Sequence, residues 1–127
     1  DMGTATTMSV IDRSGNYIGG VILPGLKVSL DSLSGKTAQL PYISLEVPNK
    51  VIGKNTIDCM RSGIMYGNAA MLDGLIDRME EEIGEKATII ATGGLARLVT
   101  PLCHHSIDFE EDLLLKGLLI LYEKNKK

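Results

Sequence analysis

Apolar and polar positions change their spacing several times along the chain, and each change marks an element. Residues 4–12 (TATTMSVID) and 16–23 (NYIGGVIL) are rich in β-branched side chains and read as two strands. Arg13-Ser14-Gly15-Asn16 lies between them and has the turn chemistry that closes a hairpin, so the strands are expected to pair antiparallel. Pro24-Gly25 ends the second strand. Leu26, Val28, Leu30 and Leu33 then alternate with polar residues in a short helical segment that Gly35 stops. Thr37 to Lys54, with Pro41, Pro48 and Gly53, reads as an extended connection without a period of its own.

From Asn55 to about Ile83 the apolar positions Ile57, Met60, Ile64, Leu72, Ile76 and Met79 recur at three- and four-residue steps, the pattern of one face of a long helix. Its small residues around Gly67 allow two expectations, close packing of another helix or a bend. Glu80-Glu81-Glu82 reads as a solvated face near the helix end, with Gly84 as the stop. Lys86 to Thr92 (KATIIAT) has the continuous pattern of a buried strand, Gly93-Gly94 makes the turn, and Leu95 to Thr100 begins a helix limited by Pro101. Ile107 is placed in a short edge element, and Glu110 to Glu123 in a last helix before the basic tail. The order is hairpin, helix, long helix, strand, helix, short strand, helix, which fits half of an α/β fold with a mixed sheet flanked by helices.

Composition narrows the function classes. The 127 residues are 44% hydrophobic, enough for one compact domain with a core, and the single Phe and absent Trp leave that core to Leu, Ile, Val, Met and Ala. Thirteen basic against sixteen acidic side chains give a net charge of −3, so no nucleic-acid partner is expected. Cys59 and Cys103 form no CxxC pair, and reduced thiols in a cytoplasmic protein are the simpler expectation. With no apolar run of about 18 residues, membrane insertion is not expected either.

Four positions carry candidate chemistry. In Asp1-Met2-Gly3-Thr4 a carboxylate precedes a glycine that admits close backbone approach, followed by hydroxyls and amides at Thr4, Thr6 and Thr7 able to donate to phosphate oxygens. A carboxylate beside a phosphate is repulsive unless a cation lies between them, which makes Asp1 better placed as a metal-ion ligand than as a phosphate contact; an ordinary strand start is the alternative. Thr92-Gly93-Gly94, between strand and helix, either lets a flat adenine or ribose lie on bare backbone or is a tight turn needing positive φ. Asn55 or Thr56 caps the long helix, and a hydroxyl there is also able to bond a substrate. His104 and His105 follow Cys103, but no second ligand cluster in the sequence completes a metal site. No G-x-S-x-G elbow or Walker-type loop is present.

Taken together, DMGTATT at 1–7, YIGGVILPG at 17–25, GKNTIDCMRSGIMYG at 53–67 and IIATGGLA at 89–96 resemble the type III pantothenate kinases of the actin, sugar-kinase and Hsp70 superfamily. The resemblance implies an actin-like ATPase (ribonuclease H-like) half-fold and transfer of the ATP γ-phosphoryl group to pantothenate, the first step toward coenzyme A. By position, Asp1 resembles the family's ligand for a monovalent cation, K+ or NH4+. Thr4 resembles the ATP-contacting threonine, Gly93 and Gly94 the turn against adenosine, and Thr56 the threonine that touches pantothenate. ATP is expected with Mg2+, and a homodimer is implied. No D-x-G-N-T loop or G-x-D-R motif occurs, so no catalytic base is assigned, and residues 1–127 are expected to be the C-terminal lobe of a two-lobed kinase whose N-terminal lobe lies upstream. The alternative is a non-catalytic regulatory homologue of the transcription accessory type.

Overall fold

The computed structural model describes residues 1–35 and 43–126; the part of the expected connection at 37–42 lies outside them. Strand β1 (Ala5–Ile11) and strand β2 (Tyr17–Pro24) form the expected antiparallel hairpin, with Met8 opposite Val21 and a bulge between Val10 and Ile11. The turn is held by one carboxylate: Asp12 Oδ1 accepts the backbone N–H of Ser14 at 2.9 Å and of Asn16 at 2.8 Å. The Asn16 bond, first among these, keeps the Asp12 carboxyl below the usual carboxylate range.

Helix α1 (Leu26–Gly35) follows directly and buries Leu26 and Leu30. Helix α2 (Thr56–Ile83) is the main element, 28 residues long. It runs as one uninterrupted helix through Gly67. Its buried positions Met60, Ile64, Met65, Ala69, Leu72 and Ile76 form the periodic stripe, and all but Ile76 share a core with Met2, Leu26, Leu30, Ile43, Ala96 and Val99. Burying each of its Met, Ile and Leu side chains is worth roughly 1.5–3 kcal/mol, so this stripe is what holds α2 against α1 and the segment at Ala96–Val99.

Gly84 stops α2 with φ 77, a left-handed conformation that glycine adopts without a Cβ penalty, and its N–H donates to Glu80 O at 2.9 Å. The turn that follows corrects the expectation for the acidic run. Glu81 and Glu82 are solvated, but Glu80 is buried: its Oε2 accepts the Ala87 N–H at 2.8 Å, and Lys86 Nζ lies 3.7 Å from Oε1. The chain doubles back at Gly84 and lays residues 85–87 over that side chain, a tertiary event no local spacing reveals.

The expected strand at 86–92 shortens to β3 (Ile90–Ala91), which pairs in parallel with β4 (Asp108–Phe109). A strand exists only where a neighbour supplies a ladder, and β4 offers two residues; Ile90 is 52% exposed instead of buried. Helix α3 (Ala96–Val99) and a 3-10 turn (Thr100–Leu102) replace the single helix expected from Leu95, with Pro101 inside the 3-10 turn. Helix α4 (Leu113–Asn125) closes the described chain. The result is a mixed α/β fold with two separate two-stranded sheets among the described residues, in place of the single mixed sheet expected.

Candidate functional site

The residue order Asp1-Met2-Gly3-Thr4 places one apolar side chain between polar ones, and folding uses it as an anchor. Met2 is 3% exposed and belongs to the common core, while Asp1, Gly3 and Thr4 on either side are exposed. The turn is held by the backbone: Thr7 N donates to Asp1 O at 2.9 Å, Asp1 N to Thr7 O at 2.8 Å, and Gly3 N to Ala5 O at 3.2 Å. The Asp1 carboxylate and the Thr4 hydroxyl are thereby presented to solvent at the entry of β1.

The glycine turn meets this segment directly. Met2 N donates to Thr92 O at 2.9 Å, and Leu95 N reaches Met2 O at 3.4 Å. Gly93 has φ 104, and a Cβ there would lie 2.6 Å from Met2 O and 2.7 Å from Met2 C and N. Such a position requires glycine twice over, once for its dihedral and once for space. Gly94 is different: it is exposed, its φ is not positive, and nothing lies within 4 Å of a Cβ built there. Two segments separated by about ninety residues of sequence thus form one backbone-lined corner, and Gly94 is its open face.

A third strand of contacts comes from Pro24-Gly25. A Cβ at Gly25 would stand 3.0 Å from Thr6 Oγ1, 3.4 Å from Thr4 O and 3.5 Å from Gly3 O. Thr6 is 2% exposed, and its hydroxyl has no hydrogen-bond partner among the described residues. Its burial corrects the expectation that the Thr6 hydroxyl, like that of Thr4, is open to a phosphate: the hairpin turns Thr6 inward against Gly25.

Thr56 opens α2 and is exposed. The cap is Asn55, whose side chain accepts the Asp58 N–H at 2.9 Å and donates through Nδ2 to Asp58 Oδ2 at 2.9 Å. That resolves the capping alternatives and leaves the Thr56 hydroxyl outside the cap. Among the described residues no hydrogen bond joins Thr56 to Asp1–Thr4 or to Gly93-Gly94; what links them is the core, since Met60, one turn into α2, packs in the same cluster as Met2 and Ala96. Two grooves, about 450 Å³ between Asp77 and Lys86 and about 320 Å³ between the hairpin and the end of α2, are lined by none of the five expected residues.

The Cys103-His104-His105 segment finds partners that sequence reasoning missed. Asp73 accepts the backbone N–H of His104 at 2.7 Å and of His105 at 3.1 Å, and His105 Nε2 lies 2.6 Å from Asp77 Oδ1. His105, Asp77 and Glu80 each bring one ligand atom within 4.8 Å of the others. Asp73 and Asp77 are four residues apart on one helix face, the only sequence clue that they act on the same loop. Burial, and next the Asp73 charge, push the Cys103 thiol up to about 11. Both cysteines are free, as expected.

The sequence model of the family described as type III pantothenate kinase matches residues 1–78. Relatives named type III pantothenate kinase include those of an Exiguobacterium species, 48% identical over all of this chain and 50% of its own length, and of Zymomonas mobilis, 48% identical over 98% of this chain and 46% of its own. That of Moorella thermoacetica is 46% identical over 98% of this chain and 49% of its own. The chain therefore spans about half the length of the curated relatives it matches. A solved structure from Campylobacter jejuni, described as a conserved Baf family transcriptional activator, covers 98% of this chain and 55% of its own at TM-score 0.66 and 21% identity, a likeness of fold alone. A family match over more than half of the described sequence, running from the Asp1–Thr4 corner through the capped start of α2, makes this chain a member of the type III pantothenate kinase family.

Proposed function

We propose that this chain is the C-terminal lobe of a two-lobed, actin-like kinase that moves the γ-phosphoryl group of ATP to pantothenate, the first step of coenzyme A biosynthesis. The observation that carries it is the meeting of Asp1–Thr4 with the Gly93 turn: a carboxylate, a hydroxyl and a bare glycine face at one corner, as nucleotide binding requires. In this reading Asp1 holds a monovalent cation, K+ or NH4+, and Thr4 donates to phosphate oxygens. Gly94 leaves room for the adenosine, and Thr56 bonds pantothenate from the start of α2.

The donor set fits such groups. The Asp1 carboxylate is a hard oxygen ligand on an exposed residue, and Gly94 has no neighbour within 4 Å of its Cβ position to obstruct a flat ring. ATP with Mg2+ supplies the transferable phosphoryl group and the charge neutralisation; the residues of this chain bind and orient. The base that receives the hydroxyl proton belongs to the N-terminal lobe. A homodimer working in the cytoplasm completes the proposal; among the described residues no helix is long and apolar enough to cross a membrane.

The test is a full-length chain carrying this segment behind the upstream half of a curated relative, assayed for K+-stimulated phosphorylation of pantothenate. Thr56→Ala is expected to raise KM for pantothenate about tenfold or more, the loss of one hydrogen bond to a bound polar group. Asp1→Asn is expected to abolish the K+ stimulation. A well-folded full-length protein that phosphorylates nothing would refute the kinase reading and favour the regulatory one.

A further inference from the structure

Folding gathers a set of ligand-type side chains that no stretch of the sequence holds together. Asp73, Asp77 and Glu80 follow one another at steps of four and three on α2 and so share one face of the helix. The loop after the 3-10 turn comes to that face because Asp73 accepts the backbone N–H groups of His104 and His105. The His105 ring, 20% exposed, then lies with Nε2 2.6 Å from Asp77 Oδ1. One carboxylate oxygen of Glu80 completes a triangle whose atoms are all within 4.8 Å of one another.

Glu80 is the member that packing leaves unfinished. Its side chain is 8% exposed. Oε2 is taken by the Ala87 N–H, but Oε1 has no hydrogen-bond partner among the described residues. The Lys86 ammonium stands 3.7 Å from it, past hydrogen-bond reach, on a side chain that is 90% exposed, so water screens most of its charge. A buried carboxylate is stable when it is paired or bound to a metal ion. Asp77 and Glu80 both line the groove of about 450 Å³, which gives an ion and a completing water a way in.

The donors are one imidazole nitrogen and two carboxylate oxygens, a set that suits zinc and similar transition ions better than Mg2+ or K+. With its proton on Nδ1, the His105 ring has a lone pair on Nε2 to give. Zinc ligands at about 2.0–2.2 Å in a tetrahedron stand roughly 3.3–3.5 Å apart. The present triangle reaches that spacing by movements of about 1 Å, which the Asp77 side chain, 67% exposed, is free to make.

We propose that Asp77, Glu80 and His105 bind a divalent cation of the zinc class, joining the last turns of α2 to a loop 28 residues beyond Asp77. The site shares no residue with the Asp1 corner and does not depend on the kinase reading.

The test is a titration of the metal-free full-length chain described above with Zn2+, against a chromogenic chelator and with excess Mg2+ present. The expected result is one zinc per chain, with affinity weakened about tenfold or more in His105→Ala and in Glu80→Gln. Affinity should stay within about twofold of the parent in Asp1→Asn and in Glu81→Gln/Glu82→Gln, whose exposed carboxylates lie outside the triangle. Glu80→Gln keeps an acceptor for the Ala87 N–H, and metal-free thermal melts check that each variant folds; where Glu80→Gln does not, His105→Ala decides. Co2+ in place of zinc should show the visible bands of nitrogen and oxygen ligation, lost in His105→Ala. A thiolate-to-cobalt charge-transfer band, which places the ion on a cysteine, overturns the site. So does zinc binding that survives His105→Ala, falls as far in Glu81→Gln/Glu82→Gln or Asp1→Asn, or yields to Mg2+, and so does an absence of binding.

Discussion

Gly93→Ala is expected to destabilise the fold sharply, and Gly94→Ala is expected not to. At φ 104 an alanine is held where L side chains are disfavoured, at a cost of about 1–2 kcal/mol. The new Cβ would also meet three Met2 backbone atoms at 2.6–2.7 Å, which rotamer changes cannot relieve, and the shift needed adds about 1–3 kcal/mol. The total is about 2–5 kcal/mol. For 127 residues an unfolding entropy of about 2.1 cal/mol/K per residue gives about 0.27 kcal/mol/K, so Tm should fall by roughly 7–19 °C. Gly94 has neither the dihedral nor the crowding, and its variant should melt within about 2 °C of the parent, as surface substitutions do. In the proposed full-length kinase Gly94→Ala should instead raise KM for ATP, because its Cβ enters the proposed adenosine face. Thermal melts by circular dichroism decide the first part. A Gly93→Ala chain that melts with the parent, or a Gly94→Ala chain that loses as much as Gly93→Ala, would sink the geometric account of the corner.

Asn55→Ala should remove the α2 cap and cost about 1 kcal/mol, a Tm loss of about 4 °C, while Thr56→Ala should leave the melt unchanged; equal losses would place the cap on the wrong residue. Thr6→Val replaces an unpartnered buried hydroxyl with a methyl of the same shape, so its chemical denaturation midpoint should stay or rise, and a loss above about 1 kcal/mol would show that the hydroxyl has a partner after all. Asp73→Ala leaves the His104 and His105 amides without their acceptor and should cost about 1–3 kcal/mol in urea titrations; a neutral outcome would mean the loop stands unaided. A thiol whose pKa rises on folding, from 9.0 to about 11, favours the fold below pH 9, and that contribution is lost as pH climbs toward 11. At pH 8.5 Cys103 therefore carries about 100-fold less thiolate than an ordinary cysteine, and a thiol reagent should modify exposed Cys59 first; equal labelling rates would contradict the burial.

What the sequence disclosed was what local physics decides. The hairpin was legible because two β-branched runs flank a Ser-Gly-Asn turn, and α2 because its apolar stripe repeats over 28 residues between an Asn cap and a glycine stop. The segment 86–92 misled because a continuous apolar run describes a strand buried by neighbours, and β4 supplies a ladder of two residues only. Glu80 misled for the opposite reason: its neighbours in sequence are solvated, and only the reversal at Gly84 brings Ala87 over it. His105 met Asp77 from a distance of 28 residues, which no spacing rule connects.

The same division applies to the corner at Asp1. Its residue types were legible, an acidic residue, a glycine and nearby threonines, but a plain strand start reads equally from them, and only the linked blocks along the chain favoured a ligand corner. The reason for the glycine at position 93 was not, because it lies in the backbone of Met2 rather than in a ligand. Once Met2 is buried and bonded to Thr92, the φ of 104 and the absent Cβ follow from packing alone, and the pair Gly93-Gly94 separates into one glycine that the fold requires and one that it leaves open. Packing therefore accounts for Gly93 and makes no demand on Gly94, so a bound nucleotide is best sought through the second glycine. A ligand role at Gly93 cannot be read from its substitution, since any side chain there disturbs Met2 first.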